Sequence, residues 1–201
     1  MKMSHAAGFL LACSAAIFTL QSAAADWPES GKAIQVIVPA PGGSGTGDTI
    51  ARLVAEQLAR RLRTSMVIDN RAGANGNIGA TAAARSTPDG YHLLFSWAGT
   101  LAVNPVMYKG LGFDPRKSFE PIGLVADVPN ILVVSKDLPV RDFKGFLEYA
   151  KSRPGQVNFA STGNGSSMHL AGELFMRETG TKLVHVPYNA PGQATTNLIS
   201  N

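Results

Sequence analysis

Apolar and polar positions alternate along this chain in blocks that switch period. Ala33 to Val38 is apolar and β-branched, which predicts a buried strand. From Thr49 to Leu62 the period lengthens, and Ile50, Leu53, Val54, Leu58 and Leu62 fall on one helical face. Asp48 stands where an N-cap is wanted. Met66 to Asp69 predicts a short strand, Arg71 to Asn77 a glycine-rich loop, and Ile78 to Arg85 an alanine-rich helix able to pack closely. Pro88-Asp89-Gly90 signals a turn, Tyr91 to Ser96 a strand, and Leu124-Val125 another.

After Pro129-Asn130 the alternation restarts. Ile131 to Ser135 predicts a strand, and Asp142 to Lys151 a helix with Phe143, Phe146, Leu147 and Ala150 inward. Val157 to Ala160 predicts a strand, Ser166 to Thr179 a helix stopped by Gly180, and Lys182 to Val186 a strand. A final helix begins at Pro191-Gly192-Gln193. Such alternation argues for an α/β fold with largely parallel sheets.

Composition narrows the class. The chain has 201 residues, 45% apolar and 16% charged, which is globular and able to bury a core. Its net charge of +4 is scattered. Arg60-Arg61-Leu62-Arg63 sits at a helix end, where cations suit the dipole, so no nucleic-acid stripe is indicated. The N-terminus reads as an export signal over residues 1–25. Lys2 precedes an apolar run from Ala6 to Leu20, and Ser22-Ala23-Ala24-Ala25 offers cleavage positions. The expected mature start is Asp26. Cys13, the single cysteine, would leave with the signal, and a lipoprotein anchor there is the weaker reading. The mature chain would then lack a thiol, which suits an oxidising periplasm.

Candidate chemistry concentrates in two glycine-rich turns, each between a strand and a helix. The first is Pro39-Ala40-Pro41-Gly42-Gly43-Ser44-Gly45-Thr46-Gly47-Asp48, and the second is Ala160-Ser161-Thr162-Gly163-Asn164-Gly165-Ser166-Ser167. A bare helix start offers amide N–H groups and the positive dipole end, which favours an anion. Enzyme readings of the first turn break on named residues. Asp48-Thr49 occupies the Lys-Ser/Thr place of a P-loop, Asp48 replaces the third glycine of a dinucleotide fingerprint, and Thr46 replaces the last glycine of a nucleophile elbow. Ser166 and Ser167 with His169, and Glu173 one turn on, keep an exported serine hydrolase open as the alternative. His92, His169 and His185 lie on separate elements without metal-ligand spacing, so no metal and no cofactor are expected. Ser96 and Thr100 flank Ala98-Gly99 at a strand's C-terminal end, where open α/β sheets place ligands, and Trp97 lies between them.

In order, several segments resemble the periplasmic receptors of tripartite tricarboxylate transporters, the Bug-type solute receptors. They are Ile37-Val38-Pro39 with Gly42-Gly43 and Asp48, Asp69 through Gly79, Pro88-Asp89-Gly90-Tyr91, Ala102-Val103-Asn104-Pro105, Ala160-Ser161 through Ser166, His169 through Leu174, and His185-Val186-Pro187-Tyr188. The resemblance implies a type II periplasmic-binding-protein-like fold, two α/β lobes around a cleft, incomplete at the C-terminus. Lobe one would span residues 26–126 and lobe two 127–201. It implies a ligand seat of Pro41, Gly42, Gly43, Ser44, Thr46, Asp48, Ser96, Ala98, Thr100, Ser161, Gly163, Gly165, Ser166 and Ser167. The implied ligand is a small organic acid, a di- or tricarboxylate or a relative, and the implied partners are integral-membrane transporter subunits. Family members run well past residue 201, so the competence of the isolated chain is in question. The turn before Asp48 is one residue longer than the family's, Ala40 stands where a larger side chain is common, and Asn189 where Lys is common.

Overall fold

The computed structural model describes residues 27–43, 45–189 and 191–200. The expected signal, Cys13 and Ser44 lie outside them. Residues from Gly31 onward form one unit, and both sheets lie within it.

Strand β1, Ile34–Val38, is the centre of a three-stranded parallel sheet. It pairs with β2, Met66–Asn70, on one side and β3, His92–Leu94, on the other. Parallel neighbours need crossovers, and two helical segments supply them. Helix α1, Gly45–Leu62, joins β1 to β2, and α2, Asn77–Ala84, lies between β2 and β3. Val36 and Val38 pack on Ala51 and Ala55 of α1, with Met66, Ile68, Leu93, Phe95 and Trp97 around them. Burying each such valine contributes about 1.5–3 kcal/mol. Alanine and glycine let α2 sit close, as expected. A Cβ on Gly79 would lie 2.8 Å from Pro39 Cβ and 2.9 Å from the Arg71 carbonyl oxygen.

The second sheet is a parallel pair of β4, Val157–Ser161, and β5, Leu183–Pro187. Between α2 and this sheet come a short helix α3, Asn104–Met107, and α4, Phe143–Lys151. Asp142 caps α4 by accepting from Gly145 N at 2.7 Å. Helix α5, Ser167–Thr179, connects β4 to β5, and Gly180 ends it with a left-handed φ of 66°. Gly172 gives the Phe159 ring room against α5. Phe175 of α5 meets Phe146 of α4 at 5.9 Å between ring centres. Helix α6, Pro191–Ser200, follows β5. Among the described residues no helix is long and apolar enough to cross a membrane.

Four expectations are corrected. Leu124-Val125 and Ile131 to Ser135 are not strands: Ile122 and Leu124 are 84% and 89% exposed, and Ile131 to Val133 are exposed too. Their β-branched sequence has no strand alongside among the described residues, and a strand exists only by pairing. Phe143 is exposed rather than inward, touching Phe175 only edge-on. Helix α1 begins at Gly45, not Thr49. Asp48 therefore lies inside the first turn, and its carboxylate reaches back to Gly43 N at 2.8 Å.

Candidate functional site

The two glycine-rich turns converge on one cleft of about 2120 Å³. Gly45, Thr46 and Gly47 line it from the start of α1, Ser96, Trp97, Ala98 and Gly99 from the end of β3, and Gly163, Ser166 and Ser167 from the second turn. Trp97 packs on Gly47, where a Cβ would lie 3.0 Å from its ring. A Cβ on Gly99 would lie 3.5 Å from the Gly165 carbonyl oxygen, so the walls approach closely at this point. The volume exceeds the usual 300–1,000 Å³ of a ligand pocket because the cleft continues over the sheet face at Val36, Leu93 and Phe95.

In α1 the N–H groups of Thr46 and Gly47 have no acceptor among the described residues, and in α5 the same holds for Ser167 and Met168. Not every amide of the turns is available. Gly43 N donates to Asp48, Gly163 N to Ser161 Oγ at 3.0 Å, and Gly165 N to His169 Nδ1 at 3.1 Å. Ser166 caps α5, its Oγ accepting from His169 N at 3.2 Å. The hydroxyl of Ser96 is buried without a hydrogen-bond partner among the described residues, and such a group calls for a ligand or solvent contact.

Three expected seat residues turn their polar atoms into the protein. Asp48 is 1% exposed, and its carboxylate accepts from Arg52 Nε at 2.8 Å and Asn70 Nδ2 at 2.7 Å as well as from Gly43. Arg52 also donates to Asn70 Oδ1 at 2.9 Å, closing the ring of bonds. The Arg52 bond holds the Asp48 carboxyl below its ordinary range, against burial, with Asn70 and Gly43 adding to the effect. Thr100 is fully buried and donates to Asn75 O at 3.2 Å. Ser161 is 1% exposed, with its Oγ 2.5 Å from His185 Nε2. These three side chains hold the walls in shape, and burial keeps them from a ligand. Pro41, Thr46, Ser96, Ala98, Gly163, Ser166 and Ser167 line the cleft, whereas Gly42, Gly43 and Gly165 form the turns behind it.

Sequence reasoning separated His169 from His185; the fold stacks them, with ring centres 4.0 Å apart, and Phe159 continues the stack. Accepting from Gly165 places the proton of neutral His169 on Nε2, 3.4 Å from Glu173 Oε1. Neither nitrogen of His169 therefore serves Ser166 or Ser167, which removes the geometry a serine hydrolase needs. The serine–histidine contact that does form, Ser161 with His185, is enclosed. Among the described residues no three His, Cys, Asp or Glu side chains gather as a metal site.

Burial pushes the His185 imidazole below its ordinary 6.5, the His169 charge adds to this, and Glu173 opposes it. The unfolded chain then binds a proton at a higher pH than the folded one. Stability is expected to fall as pH drops through about 6.5 towards the folded value. Thermal unfolding from about pH 8 to about pH 5 should show this slope, and His185→Gln should flatten it. An unchanged slope in the variant would assign the effect elsewhere.

A family model for the tripartite tricarboxylate transporter family receptor matches residues 50–201. Several solved structures are similar to this chain. R. palustris Rpa4515 with adipate is 37% identical with a TM-score of 0.81, covering 86% of this chain and 57% of that one. The periplasmic binding protein BugD is 37% identical with a TM-score of 0.75, covering 83% and 55%. MatC from Rhodopseudomonas palustris with bound malate is 31% identical with a TM-score of 0.74, covering 84% and 57%. The chain spans about half the length of the curated relatives it matches, at 47% and 48% of two that are 36% and 35% identical to it. The fold is that of periplasmic binding proteins, incomplete relative to these structures. With this match over most of its length, the chain belongs to the tripartite tricarboxylate transporter receptor family, the Bug-type solute-binding receptors.

Proposed function

We propose that this chain captures a small carboxylate, a di- or tricarboxylate or a close relative, in the periplasm and presents it to integral-membrane transporter subunits. The observation that carries this reading is the pair of amide sets with no acceptor among the described residues, Thr46 with Gly47 and Ser167 with Met168, at the starts of two helices on one cleft. Each set offers N–H donors and a positive dipole end to a carboxylate. A dicarboxylate has a charge for each. Ser96, Ser166 and Ser167 add hydroxyls at the same cleft. The adipate and malate bound in two similar structures agree with this chemistry.

In this reading residues 1–25 are a cleaved export signal, and the lobes divide near residues 126–130. Pro41, Thr46, Ser96, Ala98, Gly163, Ser166 and Ser167 form the seat, on turns that Gly42, Gly43 and Gly165 shape, without metal, cofactor or catalysis.

The test uses the chain from Asp26 joined to the part of BugD beyond the matched region. Titration calorimetry with adipate, malate and citrate should give saturable binding. Ser167→Pro should weaken it roughly tenfold, because proline fits the first position of a helix but removes the N–H. Absence of binding to all three acids would end the carboxylate reading. Equal affinity in the proline variant would remove the α5 amide from it.

A further inference from the structure

We infer that Asn75 is the latch between the two walls of the cleft, a positioning residue that sets how far the walls stand open before any ligand arrives. The inference rests on the proposed ligand cleft, not on which acid fills it.

Asn75 sits at the tip of the loop after β2 with φ 53° and ψ 37°, in the left-handed region. Asparagine tolerates that backbone better than other residues with a Cβ. Its main chain is gripped from the first sheet's side. Asn75 O accepts from Asn104 Nδ2 at 2.9 Å and from Thr100 Oγ1 at 3.2 Å. Asn104 and Thr100 are both fully buried, so this grip is rigid. Asn104 also donates to Asn77 Oδ1 at 2.7 Å, which leaves its Oδ1 facing Asn75 as an acceptor.

The two amide hydrogens of Asn75 then divide. One goes to Asn104 Oδ1 at 2.7 Å, back into the same wall. The other crosses to the carbonyl oxygen of Asn164 at 2.9 Å, in the turn after β4. Both acceptors are oxygens, so the amide orientation is determined by the network itself. The turn it grasps belongs to the proposed seat and begins α5 two residues beyond Gly165.

Packing supports the crossing. Gly165 lies against Asn75, Val103 and Met107: a Cβ there would fall 3.4 Å from Asn75 Nδ2 and 2.6 Å from Met107 Sδ. Gly99 meets the same turn from the other direction. Glycine on both faces brings the walls close enough for one side chain to bridge them. A single hydrogen bond at such a crossing shifts a two-state opening without holding either wall together. If the closed form is the one that grips ligand, apparent affinity follows its population.

Pulsed electron–electron spin distance measurement tests the latch. Spin labels go on Arg61→Cys in α1 and Arg177→Cys in α5 of the mature chain joined to its BugD portion, which has lost Cys13 with the signal. Without ligand, Asn75→Gly should raise the long-distance population roughly tenfold. Glycine keeps the left-handed backbone, so the circular dichroism of the fold should be retained. Asn75→Asp keeps the backbone and size but replaces donor by acceptor, and should lengthen the distance too. If distances in the variants that fold match the native ones, the latch is overturned. Adding adipate or malate addresses the other reading. Native protein that never shortens with either acid counts against carboxylate capture and leaves the ligand-free comparison intact.

Discussion

Replacing Asp48 with alanine should lower stability by about 3 kcal/mol and the thermal midpoint by roughly 6–12 °C. The buried carboxylate is the acceptor for three donors at 2.7–2.8 Å: Gly43 N, Arg52 Nε and Asn70 Nδ2. Removing it leaves Asn70 Nδ2 with only its bond to Ala40 O at 3.1 Å among the described residues. Arg52 is half exposed and recovers water, which limits the cost. The Gly43 turn loses its tie to α1, so the variant should also bind carboxylate more weakly. Asp48→Asn keeps the shape but removes the charge. Because the Asp48 carboxyl titrates below its ordinary 3.8, its contribution is present above that pH and is lost as pH falls through the folded value. The gap between native and Asp48→Asn should therefore close in acid. Urea unfolding at neutral and acid pH measures both effects, and a loss under about 0.5 kcal/mol at neutral pH would contradict the network's role.

Gly76→Ala is expected to cost about 3 kcal/mol for two separable reasons. Gly76 has φ 88°, a backbone that an added Cβ strains. That Cβ would also overlap the Thr100 hydroxyl and lie 3.1 Å from Thr100 Cγ2 and 3.3 Å from Pro39 Cβ. Thr100 is fully enclosed and cannot step aside, so its bond to Asn75 O is disturbed as well. Gly110→Ala is the comparison. Gly110 has φ 72° but nothing within 4 Å of an added Cβ, so it reports backbone strain alone. The difference in unfolding free energy between the two variants measures the packing part. Equal losses would mean that the Thr100 contact relaxes without cost.

Much of the site's outline is local and therefore legible in the sequence. A strand, a glycine-rich turn and a helix follow one another in one short stretch of chain at Ile34–Leu62 and again at Val157–Thr179. Period, caps and glycines are nearest-neighbour signals, and Ser166 and Asp142 cap the helices where their sequence places them. Asp48 shows where that logic ends. A cap residue and a first-turn residue look alike in sequence, and the distinction depends on Asn70, which pairing with β1 brings to the end of the sheet. Asn75 stands out in the sequence only as part of a glycine-rich motif. Its role needs Asn104 and Asn164, which no spacing rule ties to it.

The order of the strands and helices on either side of residues 99–135, the parallel α/β class and the positions of two candidate anion cradles follow from the chain's own periodicity and glycine placement, because these depend on a few adjacent residues. Packing between distant segments brought the cradles to a shared cleft, turned Asp48, Thr100 and Ser161 inward, and stacked His169 on His185. It also left the apolar stretch around residues 122–134 unpaired among the described residues. The reason is physical: burial, ring stacking and strand pairing are interactions between segments. Their free energy depends on which distant neighbour arrives, and a local pattern carries no record of that neighbour.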